Sequence, residues 1–573
     1  MCGIWLFLMK QSNGQIVDYV KQVYDSFMKT HMRGPDRSTF ELLHNPSNVL
    51  IGFHRLSIMD PTIKGDQPFK IESGDRTIWT ICNGEIYNYN ELAHKYNMHL
   101  TSGSDCEIIP HLYKEKGIDV LCKELIGEYA FIIVDINMKT GKGDIYASRD
   151  RFGIRPLFYS FNDETLNFSS EMKSIVDKKN VKVFPPRHYM HLNKNTDTWE
   201  DLGLTKYYDF EMHEFTQESQ FLGVENMGLD KIKTKIRETF IESVRSKLFS
   251  DRPLGCLLSG GLDSSLVASI ASRFLKEKGQ KLKTFSIGLE DSTDEYYARL
   301  VAKHIDSDHT HIKLEQDDFI NALKDVIYAT ETYDITTVRA STGQYLVSKW
   351  ISKNTDIKVL LIGDGSDELA AGYMYFHKAP TPMELHKENV RLLKDIHFYD
   401  VLRADRGIAE NGIEARVPFL DHRFVDLYLS IDPKLRHPET YKEYKNYALE
   451  KWLLRESFNV DDYLPQEVLF RKKEAFSDGV SSLKKSWYQI VQEYANEKYT
   501  DEYFASEQDR IGFNKPPSKE ALYFRKIWEE YYGKYEESPL TSEVIPYFWL
   551  PKWCGDIKEP SARVLQVYNT ESK

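Results

Sequence analysis

Between residues 254 and 362 the chain alternates strand-like and helix-like runs, and this alternation limits the fold more than any other feature. Leu254–Leu258, Leu282–Ile287, Thr310–Leu314 and Ile357–Ile362 read as short buried strands. Helical stretches fill the gaps: one ending near Leu275, then 294–305, 317–330 and 341–353. Parallel strands need long crossovers, and helices supply them, so the pattern predicts a parallel sheet covered on both faces. Just before it, Leu229, Ile232, Ile236, Phe240, Val244 and Leu248 recur at helical spacing. Beyond residue 390 the chain reads as mostly helical.

The first 200 residues differ. Gly3–Met9, Val49–Met59, Thr77–Cys82, Tyr129–Asp135, Gly143–Ala147 and Leu157–Tyr159 are strand-like and bounded by turn residues. Only two helical stretches interrupt them, near 16–31 and 105–126. This is a sheet-centred α+β domain. Residues 195–228 hold no steady period and read as a linker against the surface. The expected units are therefore 2–200, a linker 201–228, a second domain 229–555 and a polar tail 556–573.

Composition excludes several classes. Lys plus Arg total 75 against 87 acids, a formal charge of −12. That balance argues against a general nucleic-acid binder. Six cysteines in 573 residues, none in a C-x-x-C pair, make neither a disulfide scaffold nor a zinc ribbon. No apolar run approaches the roughly 18 residues of a membrane helix. The expectation is a soluble cytoplasmic protein without membrane or nucleic-acid partners.

Two short regions carry chemistry. Cys2 follows Met1, and removal of Met1 would leave a cysteine with a free α-amine. Such an amine titrates near 7.7–8.0 and can take the thiol proton near neutral pH. By itself Cys2 reads rather as a small apolar residue. Asn83-Gly84-Glu85, however, follows a strand, and an Asn amide beside a Gly N–H can hold an oxyanion. Arg55 offers a fork for a carboxylate, and Asp105 offers an acid in a turn. The second region is Ser259-Gly260-Gly261-Leu262-Asp263-Ser264-Ser265, between an apolar strand and a helix. Its glycines let backbone approach an anion, and the helix start presents N–H groups to phosphate. Asp263 can hold Mg²⁺. Neither G-x-x-x-x-G-K-[ST] nor G-x-G-x-x-G occurs, which excludes a Walker ATPase and leaves a dinucleotide fold without support.

M-C-G-I-W, R-G-P-D, H-R-L-S and N-G-E-I-Y-N resemble the N-terminal-nucleophile glutamine amidotransferases. S-G-G-L-D-S resembles the pyrophosphate loop of the ATP pyrophosphatases. With Glu331–Ser341, Gly363–Glu368, Glu414–Asp421 and Lys473–Gly479, the chain to about residue 565 is similar to the glutamine-hydrolysing asparagine synthetases. The resemblance implies an αββα sandwich followed by an adenine-nucleotide α-hydrolase-like α/β domain with a helical end. It implies ammonia release from glutamine, then amidation of aspartate through β-aspartyl-AMP, with Mg²⁺ accompanying ATP. Cys2 would be the nucleophile, with Asn83 and Gly84 at the oxyanion. Arg55, Leu56, Ser57, Ile58, Met59, Glu85 and Asp105 would complete the glutamine site. Leu258, Ser259, Gly260, Gly261, Asp263, Ser264, Ile287, Ile362, Gly363 and Lys473 would bind ATP. Asp263 and Asp367 would hold the metal. Thr336, Thr337 and Arg339 would face aspartate or the intermediate, and Arg416 would line an ammonia passage. A homodimer is a further expectation.

One loop departs from the family pattern S-G-E-G-S-D-E. This chain has Ile362 for the Ser and Asp364 for the Glu associated with acyl-adenylate formation. Two readings follow: a working synthetase in which Asp364 acts, or a glutaminase-competent relative with impaired synthesis and a regulatory or binding role.

Overall fold

In the computed structural model, residues 1–10, 16–43, 48–195, 198–210, 213, 220–289, 292–471, 486–533 and 551–554 are described. Twelve strands form the first part. They are β1 (Gly3–Met9), β2 (Arg37–Leu43), β3 (Val49–Arg55), β4 (Phe69–Ser73), β5 (Arg76–Ile86), β6 (Gly127–Asn137), β7 (Gly143–Arg149), β8 (Phe158–Phe161), β9 (Thr165–Ser169), β10 (Val181–Val183), β11 (His188–Lys194) and β12 (Glu200–Lys206). They make two antiparallel six-stranded sheets, β10-β8-β9-β1-β3-β2 and β12-β11-β7-β6-β5-β4.

The period of two along β1 shows how the layers stack. Ile4, Leu6 and Leu8 enter a core shared with Ile81, Ile132 and Val134 of the facing sheet. Trp5 and Phe7 turn outward, against Val23 and Phe27 of the helix Ile16–Met28. On the other side Ile78, Cys82 and Ile133 meet the helix Ile108–Glu124. Helix, sheet, sheet and helix are therefore layered, as the resemblance implied.

The second part holds β13 (Leu254–Leu257), β14 (Lys283–Gly288), β15 (Asp308–Lys313), β16 (Val359–Leu361) and β17 (Glu414–Arg416). All pair in parallel, in the order β15-β14-β13-β16-β17. Crossover helices Leu262–Glu277, Thr293–His304, Gln316–Thr330 and Ile335–Asn354 cover the sheet. Beyond β16 the described chain is helical apart from β17. No helix among the described residues is long and apolar enough to cross a membrane.

Three differences from the sequence expectations have clear causes. β12 carries the N-terminal sheet to Lys206, six residues into the stretch read as linker. It is an edge strand, mostly exposed, so it shows no apolar alternation. β2 is likewise a largely solvated edge. β17 is Glu-Ala-Arg, wholly buried, and its charges hide it from any hydrophobic pattern.

Candidate active sites

Cys2 opens β1. Its thiol donates to Leu56 O at 3.7 Å, and its carbonyl accepts from Arg33 Nε at 2.9 Å. With Met1 in place, burial pushes the thiol up to about 11. Met1 is itself buried, and its ammonium lies 3.7 Å from Glu414. A lone thiol in this setting stays protonated, so nucleophilic use requires the nearby base that trimming of Met1 would create.

Asn83 lies on β5, wholly buried, and neither its amide N nor its O finds a partner among the described residues. A buried amide with no partner is costly unless a ligand completes it. Gly84 has φ +146°, and a Cβ there would sit 1.9 Å from Glu128 O. Only glycine fits. Glu85 and Asp105 are both buried. Asp105 is pushed up to about 6, first by burial, although Ile86 N–H donates to it at 2.5 Å. Glu85 is raised further by burial and by the charges of Asp105 and Glu414. Two acids that resist ionisation side by side form a site that favours an incoming cation.

The loop after β3 is tied from several sides. Ser57 N donates to Asp36 Oδ2 at 2.9 Å, so the R-G-P-D turn braces it. Leu56 and Ile58 pack on Val359 of β16, in contact with the second domain. Met59 packs on the same cluster. Arg55 is placed differently from expectation. Its guanidinium donates to Thr62 O at 2.7 Å and Met59 O at 3.2 Å, and also meets Asp60 O and Asp66 Oδ1. Its own loop holds the fork, so a ligand carboxylate would have to exchange with these partners.

In the second domain, Leu258 N donates to Phe285 O at 2.7 Å, placing the phosphate loop at the carboxyl end of the sheet. Gly260 has φ +74°, and a Cβ there would lie 2.5 Å from Ala298 N. Ser259 Oγ and Ser264 Oγ are 3.0 Å apart, closing the loop over the N-terminus of the helix Leu262–Glu277. Gly363 approaches so closely that a Cβ would meet Ser264 N at 2.7 Å. Ile287, next to the end of β14, and Ile362, just past β16, are buried apolar walls. Asp364 is buried. Its carboxylate accepts from Gln344 Nε2 at 3.1 Å and Arg403 Nη2 at 2.9 Å. Burial raises its pKa, against the pull of Arg403.

Asp263 and Asp367 converge on one ammonium. Lys451 Nζ lies 2.8 and 2.7 Å from the two Asp263 oxygens and 2.5 Å from Asp367 Oδ1. Two carboxylates that share one positive charge have the donor chemistry Mg²⁺ favours when water and phosphate complete its shell. Thr336 Oγ1 and Thr337 N both donate to Asp334 Oδ2, at 2.7 and 2.8 Å, capping the helix Ile335–Asn354. Arg339 forms a buried two-point pair with Glu520, at 2.7 and 2.5 Å, and this pins two helices together. A substrate would have to be met beside that pair. Lys473 lies outside the described residues. Sequence reasoning overlooked Lys451, Gln344 and Arg403. Lys451 stands just before a short helix with no spacing signal, and neither Gln344 nor Arg403 carries a motif of its own.

The two sites meet at Arg416. Its Nη2 is 3.3 Å from Glu85 Oε1, and its Nε is 2.8 Å from Glu414 Oε1. Its carbonyl accepts from Ile362 N at 3.1 Å. One buried residue therefore touches the glutamine-side acids and the loop that carries Asp364. Around it, Arg33 pairs with Glu171 at 2.7 Å and Asp405 at 2.8 Å, and Arg155 pairs with Glu128 at 2.9 Å and Asp405 at 3.3 Å.

Known proteins match this architecture. The glutamine amidotransferase domain family matches residues 1–197, and the asparagine synthase family matches 235–384 and 379–539. The asparagine synthetase [glutamine-hydrolyzing] of Cricetulus griseus is 41% identical over 589 aligned positions, covering 100% of both chains. Those of Gallus gallus and Homo sapiens are each 40% identical, over 100% of this chain and 99% and 100% of theirs. With both domains matched, and both candidate sites where the motifs put them, the chain belongs to the glutamine-hydrolysing asparagine synthetase family.

Proposed function

We infer that this chain amidates L-aspartate to L-asparagine, consuming ATP and taking nitrogen from glutamine. The observation that carries this reading is Arg416, whose guanidinium pairs with Glu85 while its carbonyl receives Ile362 N. A glutaminase and a nucleotide site joined through one buried residue suit a two-step transfer better than two independent activities.

In the first step the Cys2 thiolate attacks the glutamine amide carbon. The α-amine exposed by loss of Met1 takes the thiol proton. Asn83 and Gly84 hold the oxyanion, and Glu85 and Asp105 receive the substrate ammonium. The C–N bond breaks, ammonia leaves, and water hydrolyses the γ-glutamyl thioester to glutamate. In the second step an oxygen of the aspartate β-carboxylate attacks the α-phosphorus of ATP, and pyrophosphate departs. Ammonia then attacks the acyl carbon of β-aspartyl-AMP, and AMP leaves with asparagine. The phosphate loop 259–265 would cradle the phosphates, with Leu258, Ile287, Ile362 and Gly363 around the nucleotide. Asp263 and Asp367 would hold Mg²⁺, which screens phosphate charge. Thr336 and Thr337, at a helix start, would face aspartate, and Lys473 would meet pyrophosphate. The units 2–200, 201–228 and 229–555, and a cytoplasmic setting, belong to the same reading.

Asp364 supports a working synthetase. A carboxylate gripped by both Gln344 and Arg403 is held in one place despite its shorter side chain. The test compares nitrogen sources. Cys2→Ala should abolish asparagine formation from glutamine and spare formation from ammonia. Equal loss of both would refute the division between the sites.

A further inference from the structure

Lys451 sits where a cation is wanted, between the carboxylates of Asp263 and Asp367. It is about as enclosed as a lysine can be, with 1% of its side chain exposed, while the two carboxylates are 18% and 19% exposed. The aspartates therefore face the opening and the lysine backs them. Its backbone is left-handed, φ 56°, at the start of the helix Trp452–Ser457, which fixes the direction of its stem. Asp263 is steadied from another side, since Ser366 Oγ donates to it at 2.7 Å. Gly372 closes the pocket. A Cβ there would lie 2.0 Å from Lys451 Cε and 2.0 Å from Asp367 Oδ1. The chain thus omits a side chain at 372 so that the lysine can reach both acids.

The charges lead to a consequence. Two carboxylates converging on one point repel each other and attract a divalent ion. One ammonium leaves them a single net negative charge and fills the space between them. A free divalent ion must displace a group that already contacts three carboxylate oxygens. A triphosphate would change the balance, because its oxygens would offer the ammonium equivalent partners.

We propose that Lys451 is a resident counter-ion that keeps divalent cations off Asp263 and Asp367 until nucleotide arrives, so that metal and ATP bind as one unit; this rests on the reading of those aspartates as the metal holders. The lysine end group then turns to the phosphates, and the aspartates are freed for the metal. By linkage, nucleotide must tighten the metal by the same factor that metal tightens nucleotide.

The test titrates Mn²⁺ into the full chain by electron paramagnetic resonance, with and without α,β-methylene-ATP. Wild type should take up Mn²⁺ at this site at least tenfold more tightly with the analogue than without it. Lys451→Met keeps the apolar stem and should bind Mn²⁺ alone at least tenfold more tightly than wild type does. It should also bind the analogue more weakly. Lys451→Arg keeps the charge and should stay like wild type without nucleotide. Equal Mn²⁺ affinity of wild type with and without the analogue overturns the proposal, whether or not the variants fold. So does a Lys451→Met protein that melts cooperatively but gains no Mn²⁺ affinity. Asp263→Asn separates the premise from the inference. If analogue-dependent Mn²⁺ uptake survives it, the metal assignment itself is wrong and the proposal falls with it.

Discussion

Replacing Asp364 by Glu restores the residue of the family pattern, yet in this chain it should slow synthesis on the order of 100-fold. The two Asp364 oxygens lie 3.1 Å from Gln344 Nε2 and 2.9 Å from Arg403 Nη2, both ordinary hydrogen bonds. One added methylene shifts the carboxylate by about 1.5 Å, the length of a C–C bond. A shift of that size cannot keep both bonds in a buried site. Arg403 cannot simply follow, because it also pairs with Asp400. Misplacing a catalytic group by about 1 Å costs on the order of 100-fold, or about 2.7 kcal/mol of activation free energy. The assay is AMP formation from aspartate, Mg²⁺–ATP and saturating ammonia, with glutamate release from glutamine as the internal control. The expected result is a large fall in AMP with glutamate release intact. A rise in AMP formation would refute the reasoning, because it would show Asp364 to be a defect rather than a fitted part.

Gly84→Ala should abolish glutamine hydrolysis and leave ammonia-dependent synthesis, because its Cβ would collide with Glu128 O; near-normal hydrolysis would mean that β5 is free to move away from β6. Glutamine binding should weaken as pH falls through about 6, where Asp105 takes a proton and stops attracting the substrate ammonium. In Asp105→Asn this acid-side rise in glutamine KM should flatten, and an unchanged profile would remove Asp105 from the site. Arg416→Met should destabilise the fold by about 3–5 kcal/mol, since Glu85 and Glu414 lose a buried partner; a shift in the denaturation midpoint worth less than about 1 kcal/mol would contradict that expectation.

The parallel sheet and the phosphate loop were legible because burial on both faces makes strands such as Leu254–Leu257 continuously apolar, and because Gly260 and Gly261 mark a close approach. Cys2 and Asn83 were legible as motifs. The edge strands β2 and β12 were not, since one solvated edge carries no apolar alternation. β17 failed for the opposite reason: Glu414 and Arg416 are buried charges, and local pattern reads charge as surface. Arg55 and Arg339 show the limit for site residues. Their type announces carboxylate recognition, but whether the carboxylate belongs to a ligand, to Asp66 or to Glu520 is decided by segments 11 and 181 residues away. Lys451 left no local trace, because its partners lie 188 and 84 residues earlier in the chain.

Buried charge joins the domains alongside apolar packing. Glu331, from the second domain, accepts from the backbone of Met172 and Lys173 in the first, at 2.9 and 2.7 Å, and pairs with Arg406 at 3.2 Å. Lys173 reaches Glu410 at 2.9 Å. Burial works against ionisation of Glu414, yet Arg416 and the Met1 amine hold it down at about 2. Ion pairs of this kind add little net stability over an apolar seam of equal volume, because each ion must first be stripped of water. What they add is direction. Every pair is satisfied in only one seating of the two domains, and a small slip leaves several unpaired charges in the interior at several kcal/mol each. The seam does not hold all its acids in one state: Arg416 helps keep Glu414 ionised, whereas burial raises Glu85 and Glu331 in spite of Arg416 and Arg406. A slip of the domains would therefore change the protonation of the acids at the glutamine side as well as their pairing.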